Sequence, residues 1–533
     1  LGSRCAASHN VPYRGRFRSD NHTAVLRPQR TQPKDRRAYN APYRNPCGRR
    51  HTGSTGEERA APAKRAVNCN LHNGRNNFII SISEKGIKPM TFHMRTNNKS
   101  SKAPGNPPKD WYRLDLSAIV YPTLQRRDFS SVYRLSVLLK EDIKPDVLQK
   151  AVDIALKRFP TYKVCIHKGL FWRYLEPNNR PGPFVKPDIH NPCMPMHFKS
   201  GSRYLLRVFY YGRRISLECH HCLGDGSGGM CVLQTITAVY LRLLGAHISN
   251  GYFVLNVDEE PDPEELEDAY MRYANALVCP PRPAEKTYRI RGTKEPFHTF
   301  NIIDGIMSVK EVAAVAAKYN ATITEYLNSV LLYALLNKQQ MDFHLKLYPV
   351  RIALPVNLRR FFPSKTLRNF ISMVYPSIDP RLGNYTFEEI VSQVHNFMRY
   401  YINEKFLRGD ITTNASTTRN PFIRIVPLFL KDIVVRTFYR KVQDKNSTAG
   451  LTNMGAMKVP EDMKPYIDRF DIYMGQPFSS RTNCAIISFE DTLTINFASC
   501  IIEADVERYF FRKLVEDGIH VKIESNRTFD EEI

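Results

Sequence analysis

The stretch Glu218-Cys219-His220-His221-Cys222-Leu223-Gly224-Asp225-Gly226 carries two adjacent histidines, followed after three residues by an Asp-Gly pair. The residues before it alternate between apolar and polar on both sides of Gly212, which predicts a β-hairpin whose second strand ends at the histidines. Four glycines between Gly224 and Gly229 predict a sharp turn, and an apolar run from about Met230 to Leu244 predicts a helix after it. The histidines are therefore expected at a strand-loop-helix corner, which holds side chains rigidly at the edge of a cavity.

Strand and helix patterns alternate through the rest of the chain. An alternating apolar run over residues 133–139 predicts a strand, and Pro145 begins a helix with one apolar face. Ser308 with Glu311, and Thr386 with Glu389, have the spacing of capping boxes and predict two later helix starts. A hairpin is expected around residues 490–492, and a last helix stops at Gly518. These periodicities alone support a mixed α/β fold.

The net charge of +25 is unevenly distributed over the 533 residues. Residues 1–110 contain 22 Lys and Arg against 6 Asp and Glu, whereas residues 111–533 contain 55 against 46. The first 105 residues are also poor in periodic apolar positions, so we expect a disordered basic segment that cannot bury enough surface to fold. The remainder is only mildly basic and has ample apolar residues for packed cores, so we do not expect nucleic acid as its partner.

The basic leader has several possible roles. It lacks the charged and apolar regions of a secretory signal, but its arginine-rich, acid-poor composition leaves a mitochondrial-type leader open. A basic tail that binds a partner and a non-functional leader also stay open. A purine-rich ribosome-binding sequence encoded at Glu84-Lys85-Gly86 would place the translation start at Met90 or Met94.

Cysteine usage and hydropathy predict the compartment. The chain has 11 cysteines without a repeated spacing, which indicates free thiols and a cytoplasmic location. The longest apolar run, Ile423 to Val435, is interrupted by charges and a proline, and no run reaches the roughly 18 to 20 residues of a membrane span. We therefore predict no transmembrane segment.

The His-His-x-x-x-Asp-Gly pattern resembles the signature of the CoA-dependent acyltransferase superfamily, which includes chloramphenicol acetyltransferase, plant BAHD acyltransferases and nonribosomal peptide condensation domains. Two further segments follow in that superfamily's order. Residues 355–359, Pro-Val-Asn-Leu-Arg, together with Asn369, resemble its arginine-bearing strand. Residues 471–477 are similar to the BAHD DFGWG-x-P segment, although Ile-Tyr-Met replaces Phe-Gly-Trp at 472–474.

From Trp111 to its C-terminus the chain is most similar to bacterial alcohol acetyltransferases, through stretches such as residues 112–118 and 157–160. The resemblance implies two chloramphenicol-acetyltransferase-like α/β sandwich halves with the active site at their interface. The expected divisions are a disordered leader at 1–105, a first half at 106–290 and a second half at 291–533.

The resemblance also implies an activity, the transfer of an acyl group, expected to be acetyl, from acyl-CoA to an alcohol hydroxyl. The two substrates would react directly in a ternary complex, with acyl-CoA as co-substrate and no bound cofactor or metal. His221 is the expected general base, since imidazole titrates near neutrality. His220 would shape the loop beside it.

Further roles are carried over residue by residue. Asp225, followed by Gly226, is expected to form a structural salt bridge with Arg359, a role compatible with an Asp-Gly turn; the alternative for Arg359 is a solvated charge. Asp471 and Gly475 belong to the segment that is similar to DFGWG-x-P, which we call the second structural motif. The candidates for donating a hydrogen bond to the oxyanion of the tetrahedral intermediate are Thr452 and Asn453, which could equally form a polar turn. The candidates for binding the phosphates of CoA, or for an ordinary solvated face, are Arg359, Arg360, Lys365 and Arg368.

Other chemistries fit parts of the sequence. Cys219, Cys222 and the two histidines could be zinc ligands, although four consecutive side chains do not readily reach one metal ion. A nucleophilic Cys222 or Cys219 beside a histidine is another reading. The donor could be a carrier-protein thioester. A non-catalytic protein with a nucleic-acid-binding basic arm is the alternative of another class.

Overall fold

Strands and helices alternate along the computed structural model, which describes residues 111–125, 129–199, 201–277, 285–297, 299–342, 346–441, 446–475 and 480–527. The predicted disorder of residues 1–105 and the proposed starts at Met90 and Met94 lie outside the described residues, as do Gln476 and Pro477.

The helices differ widely in length. They are α1 (Tyr121–Leu124), α2 (Pro145–Ala155), α3 (Gly226–Leu243), α4 (Tyr270–Tyr273), α5 (Val309–Lys318), α6 (Ile323–Met341), α7 (Phe387–Tyr401), α8 (Glu404–Arg419), α9 (Pro421–Ile425), α10 (Leu428–Lys441) and α11 (Asp505–Glu516). Within the part of the chain that the structure describes, every helix is too short or too polar to cross a bilayer.

The strands form three sheets. They are β1 (Tyr112–Arg113), β2 (Val132–Leu139), β3 (Val164–Lys168), β4 (Arg173–Pro177), β5 (Val185–Pro187), β6 (Leu206–Tyr211), β7 (Arg214–His220), β8 (Asn301–Ser308), β9 (Val350–Asn357), β10 (Ile371–Val374), β11 (Ser377–Ile378), β12 (Ala449–Ala456), β13 (Ile467–Met474), β14 (Thr482–Phe489), β15 (Thr492–Ser499) and β16 (Lys522–Ser525).

A five-stranded sheet in the order β13-β2-β7-β6-β5 forms the first half, with α2 and α3 packed together beside it. The predicted hairpin is the β6-β7 pair, and its apolar residues, such as Leu217, are fully buried. A small sheet, β1-β4-β3, lies in the same half. Alternating side chains explain this arrangement, because one face of each strand packs against the helices.

The second half is built on a larger sheet in the order β10-β9-β12-β14-β15-β8-β16, with β11 paired to β9. Strand β12 runs parallel to both β9 and β14, while β14 and β15 form the hairpin expected at residues 490–492. Helix α6 packs against α7, α11 and β9. The two sheets with their helices confirm the predicted fold of two α/β halves.

One strand crosses between the halves. β13 follows β12 in the chain but pairs with β2, with Tyr473 opposite Arg134 and Met474 opposite Tyr133. The second half therefore supplies the edge strand of the first sheet. Because this pairing joins residues more than 300 positions apart, no local pattern in the sequence indicates it.

Helix α3 begins at Gly226, earlier than the expected Met230. Asp225 caps the helix by accepting hydrogen bonds from the backbone N–H groups of Ser227 and Gly228 at 3.1 and 3.2 Å. The glycines lie in the first turn of this helix. They leave room for the backbone of the second half, which approaches closely. A Cβ at Gly228 would lie 2.0 Å from the carbonyl oxygen of Leu367.

This close approach makes a testable prediction. Replacing Gly228 with alanine should lower the free energy of unfolding by at least about 2 kcal/mol, because a backbone carbonyl cannot yield to the new methyl group. Gly226→Ala is the matched control, since its Cβ would meet the flexible end of Met454 at 2.8 Å. Chemical denaturation of both variants checks this, and equal stabilities would show that the two halves do not meet closely here.

Candidate active site

The two histidines lie where β7 runs into the corner before α3. His220 is the last residue of the strand, and the backbone N–H of His221 donates to the carbonyl of Ser131 at 2.8 Å. The N–H of Leu223 then donates to the carbonyl of His220 at 3.0 Å. The chain turns at His221, directly after the strand, and the two imidazoles have different surroundings.

His220 is fully buried and both of its ring nitrogens are occupied. Nδ1 accepts a hydrogen bond from the backbone N–H of Cys222 at 3.2 Å, and Nε2 lies 3.0 Å from Oε1 of Gln125. An amide oxygen only accepts, so the proton belongs on Nε2. Burial lowers the pKa of His220 to about 3, and the nearby His221 and Arg207 act in the same direction. This ring ties the loop before residue 126 to the corner and has no lone pair left for a substrate.

His221 is partly exposed and held between two aromatic rings. Tyr121 of α1 stacks on it at 4.8 Å and 21°, and Tyr133 of β2 lies against it at 4.6 Å. Burial lowers its pKa to about 4, while the Asp225 carboxylate and Asn369 act in the opposite direction. The imidazole is therefore neutral at physiological pH and able to accept a proton.

The structure brings Asp225 and Arg359 together. Nη1 of Arg359 donates to Oδ2 of Asp225 at 2.8 Å, and the same oxygen accepts the backbone N–H of Phe370 at 2.9 Å. The other carboxylate oxygen caps α3, so both oxygens are satisfied. Arg359 also donates to the carbonyls of Thr366 and Arg368 at 2.6 to 3.0 Å. This largely buried pair joins the histidine corner to the second half.

Asn369 connects the same two parts. Its Nδ2 donates to the carbonyl of His221 at 2.8 Å and to Oδ2 of Asp115 at 3.0 Å. Its Oδ1 and the Nδ1 of His221 are both buried, and neither has a hydrogen-bond partner among the described residues. An Nδ1–H on His221 would provide the donor that Oδ1 lacks.

The second structural motif lies at the end of β13. Asp471 is buried and pairs with Arg469 at 3.1 Å, and burial raises its pKa. A Cβ at Gly475 would lie 2.3 Å from the carbonyl oxygen of Val132, the residue opposite His220 in the sheet. Only glycine allows β13 to pass this close to β2 beside the corner.

The oxyanion candidates lie in β12. Asn453 donates to Oγ1 of Thr324 at 2.9 Å and accepts the N–H of Gly455 at 2.8 Å, so its amide is already engaged. Thr452 is partly exposed, and Met454 contacts the start of α3 near Gly226. Thr452 therefore has the freer donor of the two.

Two of the four candidate phosphate ligands have carboxylate partners within the protein. Arg359 is committed to Asp225, and the buried Arg368 lies 3.7 Å from the carboxylate of Asp115. Both carboxylates come from residues far away in the sequence, so the sequence alone did not indicate these pairs. Lys365 is exposed but pairs with Asp262 at 2.8 Å, and Arg360 is exposed beside Gly455.

Zinc and cysteine chemistry fit this geometry poorly. Both nitrogens of His220 are engaged, and in the described parts of the chain no three His, Cys, Asp or Glu side chains are arranged to hold a metal. Cys219 and Cys222 are fully buried, and burial raises the pKa of both thiols. A protonated thiol is a weak nucleophile, so neither cysteine is activated.

Three residues at the corner have roles that the sequence did not indicate. Tyr121 stacks on His221, Gln125 holds His220, and Tyr162 donates to the carbonyl of Leu367 at 3.0 Å beside the glycines of α3. All three come from other elements. Their residue types carry no spacing signal that could have identified them.

The fold is similar to solved acyltransferase structures at low sequence identity. Fusarium sporotrichioides TRI101, solved in complex with coenzyme A and T-2, has a TM-score of 0.52 and 11% identity, over 77% of this chain and 99% of that chain. TRI3, a trichothecene 15-O-acetyltransferase from the same organism, has a TM-score of 0.50 and 12% identity, over 76% and 94%. No protein-family profile and no curated protein matches the sequence. The chain thus shares the two-lobed α/β fold of these enzymes.

Proposed function

We propose that this chain transfers an acyl group, expected to be acetyl, from acyl-CoA to the hydroxyl of a small-molecule alcohol, with His221 as general base. The observation that carries the proposal is the neutral, partly exposed imidazole of His221, fixed between two tyrosines at the junction of the halves. A base at such a position accepts the hydroxyl proton as the oxygen attacks the thioester carbonyl. The shared fold with an enzyme solved with coenzyme A agrees with this donor.

The chemistry requires a defined tautomer of His221. With a proton on Nδ1, donated toward Asn369, the lone pair of Nε2 is available to the hydroxyl. The Asp225 carboxylate near the ring favours the imidazolium that forms after proton transfer. Thr452 is our candidate donor to the developing oxyanion, and Arg360 is our candidate for a phosphate of CoA.

Thiol release tests the activity. The protein should liberate free CoA when acetyl-CoA is mixed with one or more members of a panel of alcohols, and amines at equal concentration should give less. Turnover with an acylated carrier protein but not with acyl-CoA would show that the donor is wrong. The absence of thiol release with every acceptor and acyl chain length would refute acyl transfer from CoA.

The pH dependence follows from the lowered pKa of His221. Because the ring stays neutral above its pKa of about 4, kcat/KM should be nearly constant from about pH 8 to about pH 5 and fall only below that. A fall with an apparent pKa near the ordinary value of about 6.5 would contradict this environment.

Stability must be recorded at each pH as the control. Unfolded histidines bind protons below about pH 6.5, whereas His220 and His221 in the folded protein do not until about pH 3 to 4. The unfolded state then binds more protons, so stability falls as pH falls through this window. Circular dichroism separates this loss from titration of the base.

A further inference from the structure

Helix α10 presents an apolar face to solvent. Its exposed apolar side chains, between 42% and 66% accessible, are Phe429, Leu430, Ile433, Val434 and Phe438. The spacing of these positions places them on one side of the helix. A surface helix normally turns such a stripe toward the core.

The side of α10 that faces the protein is mixed, with the partly buried Val435 near Asp432. Asp432 pairs with Arg173 at 2.6 Å and accepts the hydroxyl of Thr123 at 3.0 Å. One turn later, Arg436 donates through Nε to the carbonyl of Thr123 at 3.0 Å. These polar contacts help to fix the helix to the body in an orientation that leaves its exposed apolar residues outward.

Neighbouring segments extend the apolar surface. In α9, Phe422 and Ile425 are 77% and 69% exposed. The β3-β4 turn meets the start of α10, where the N–H of Leu428 donates to the carbonyl of Leu170 at 2.8 Å. Leu170 and Trp172 of this turn are also exposed. Tryptophan is enriched where proteins meet the membrane-water interface.

The charged residues of α9, α10 and the residues flanking them are almost all positive. Residues 419–441 include six arginines and lysines, and the one acidic residue of that segment, Asp432, is neutralised by Arg173. Arg424 and Arg436 lie among the exposed residues. An apolar helical face flanked by cations is the composition of helices that lie in the plane of an anionic membrane surface.

We propose that α9 and α10 form an interfacial element that binds the surface of a bilayer containing anionic phospholipids. Phe429, Ile433 and Val434 would enter the boundary between headgroups and acyl chains, and Arg424 would contact lipid phosphates. Pairing with a second copy fits less well. A two-fold contact would bring the same cations together, with no free carboxylate in residues 419–441 to oppose them.

The position of the element connects it to the site. Asp432 and Arg436 contact Thr123 of α1, and Tyr121 of the same short helix stacks on His221. A membrane-bound α10 would hold this corner beside the bilayer. The placement favours an acceptor alcohol that partitions into lipid, an inference that rests on the proposed function.

Vesicle flotation of the full chain, without substrates, tests membrane binding independently of acyl transfer. The wild-type protein should bind phosphatidylcholine vesicles that contain phosphatidylserine. Phe429→Gln, Ile433→Gln and Val434→Gln together should weaken binding by roughly a hundredfold or more. Arg424→Gln should weaken it by about fivefold on these vesicles and have little effect on pure phosphatidylcholine.

The control variant carries Ile189→Gln and Leu382→Gln, two apolar residues exposed on other elements, and should bind like the wild type. All variants retain the basic residues 1–110, so attachment through that segment would not distinguish them. Melting temperatures verify folding. Equal vesicle binding by the wild-type protein and the triple variant would overturn the proposal. The proposal would also fail if no form bound vesicles and the wild-type protein were a dimer that the triple substitution dissociates.

Discussion

Replacing His221 with alanine should lower turnover by roughly a hundredfold or more, with little change in melting temperature. The ring is partly exposed at the edge of the corner, so its loss removes chemistry more than packing. Steady-state kinetics with acetyl-CoA and a saturating acceptor measure the effect. It should appear in kcat and in kcat/KM together, because the proton is transferred only in the transition state.

Two controls accompany this variant. The exposed His247→Ala should leave turnover and stability unchanged. His220→Ala should lower stability, because it leaves the buried Gln125 contact and the N–H of Cys222 without their partner. Full activity in His221→Ala would refute the mechanism, and greater loss of turnover in a folded His220→Ala protein would mean that the other histidine is the base.

The second large effect is expected at the Asp225–Arg359 pair. Asp225→Asn and Arg359→Met should each lower the free energy of unfolding by about 3–5 kcal/mol, because either change leaves one charge of a largely buried pair without its partner. Asparagine caps helices about as well as aspartate, so the first variant isolates the charge from the cap. Activity should fall in both, since the corner that carries His221 is displaced.

A double-mutant cycle distinguishes the pair from two separate contributions. The combined variant should lose less stability than the sum of the single variants, because no unpaired charge remains. Urea unfolding of the four proteins provides the free energies. Strict additivity would show that the 2.8 Å contact contributes nothing to the junction.

The local elements were largely predictable from the sequence. Alternation identified β2 and the β6-β7 hairpin, and Pro145 marks the first residue of α2 as expected. Thr386 and Glu389 form the predicted capping box, whereas Glu311 turns its side chain to His520 and leaves only Ser308 as a cap. The glycines before Met230 indicate a turn in the sequence but belong to α3, because their close approach to Leu367 is a tertiary contact.

Less of the candidate site could be predicted. The resemblance to a family, not the spacing of charges, selected Arg359 as the partner of Asp225. Arg368 was a plausible phosphate ligand in the sequence because its burial against Asp115 depends on a contact between residues more than 250 positions apart. The same holds for Tyr121, which only the packing of α1 places on His221. Long-range burial decides which charges and rings are available.

The most direct test of the account is the mass of the product formed from acetyl-CoA and an alcohol by the wild-type protein and by His221→Ala at equal concentrations. We predict that the wild-type protein yields the alcohol increased in mass by one acetyl group, with one equivalent of free CoA, and that the variant yields almost none. Product formed equally by both proteins would contradict the role of His221. A stable acetyl group on the wild-type protein itself, with no acetylated alcohol, would contradict direct transfer.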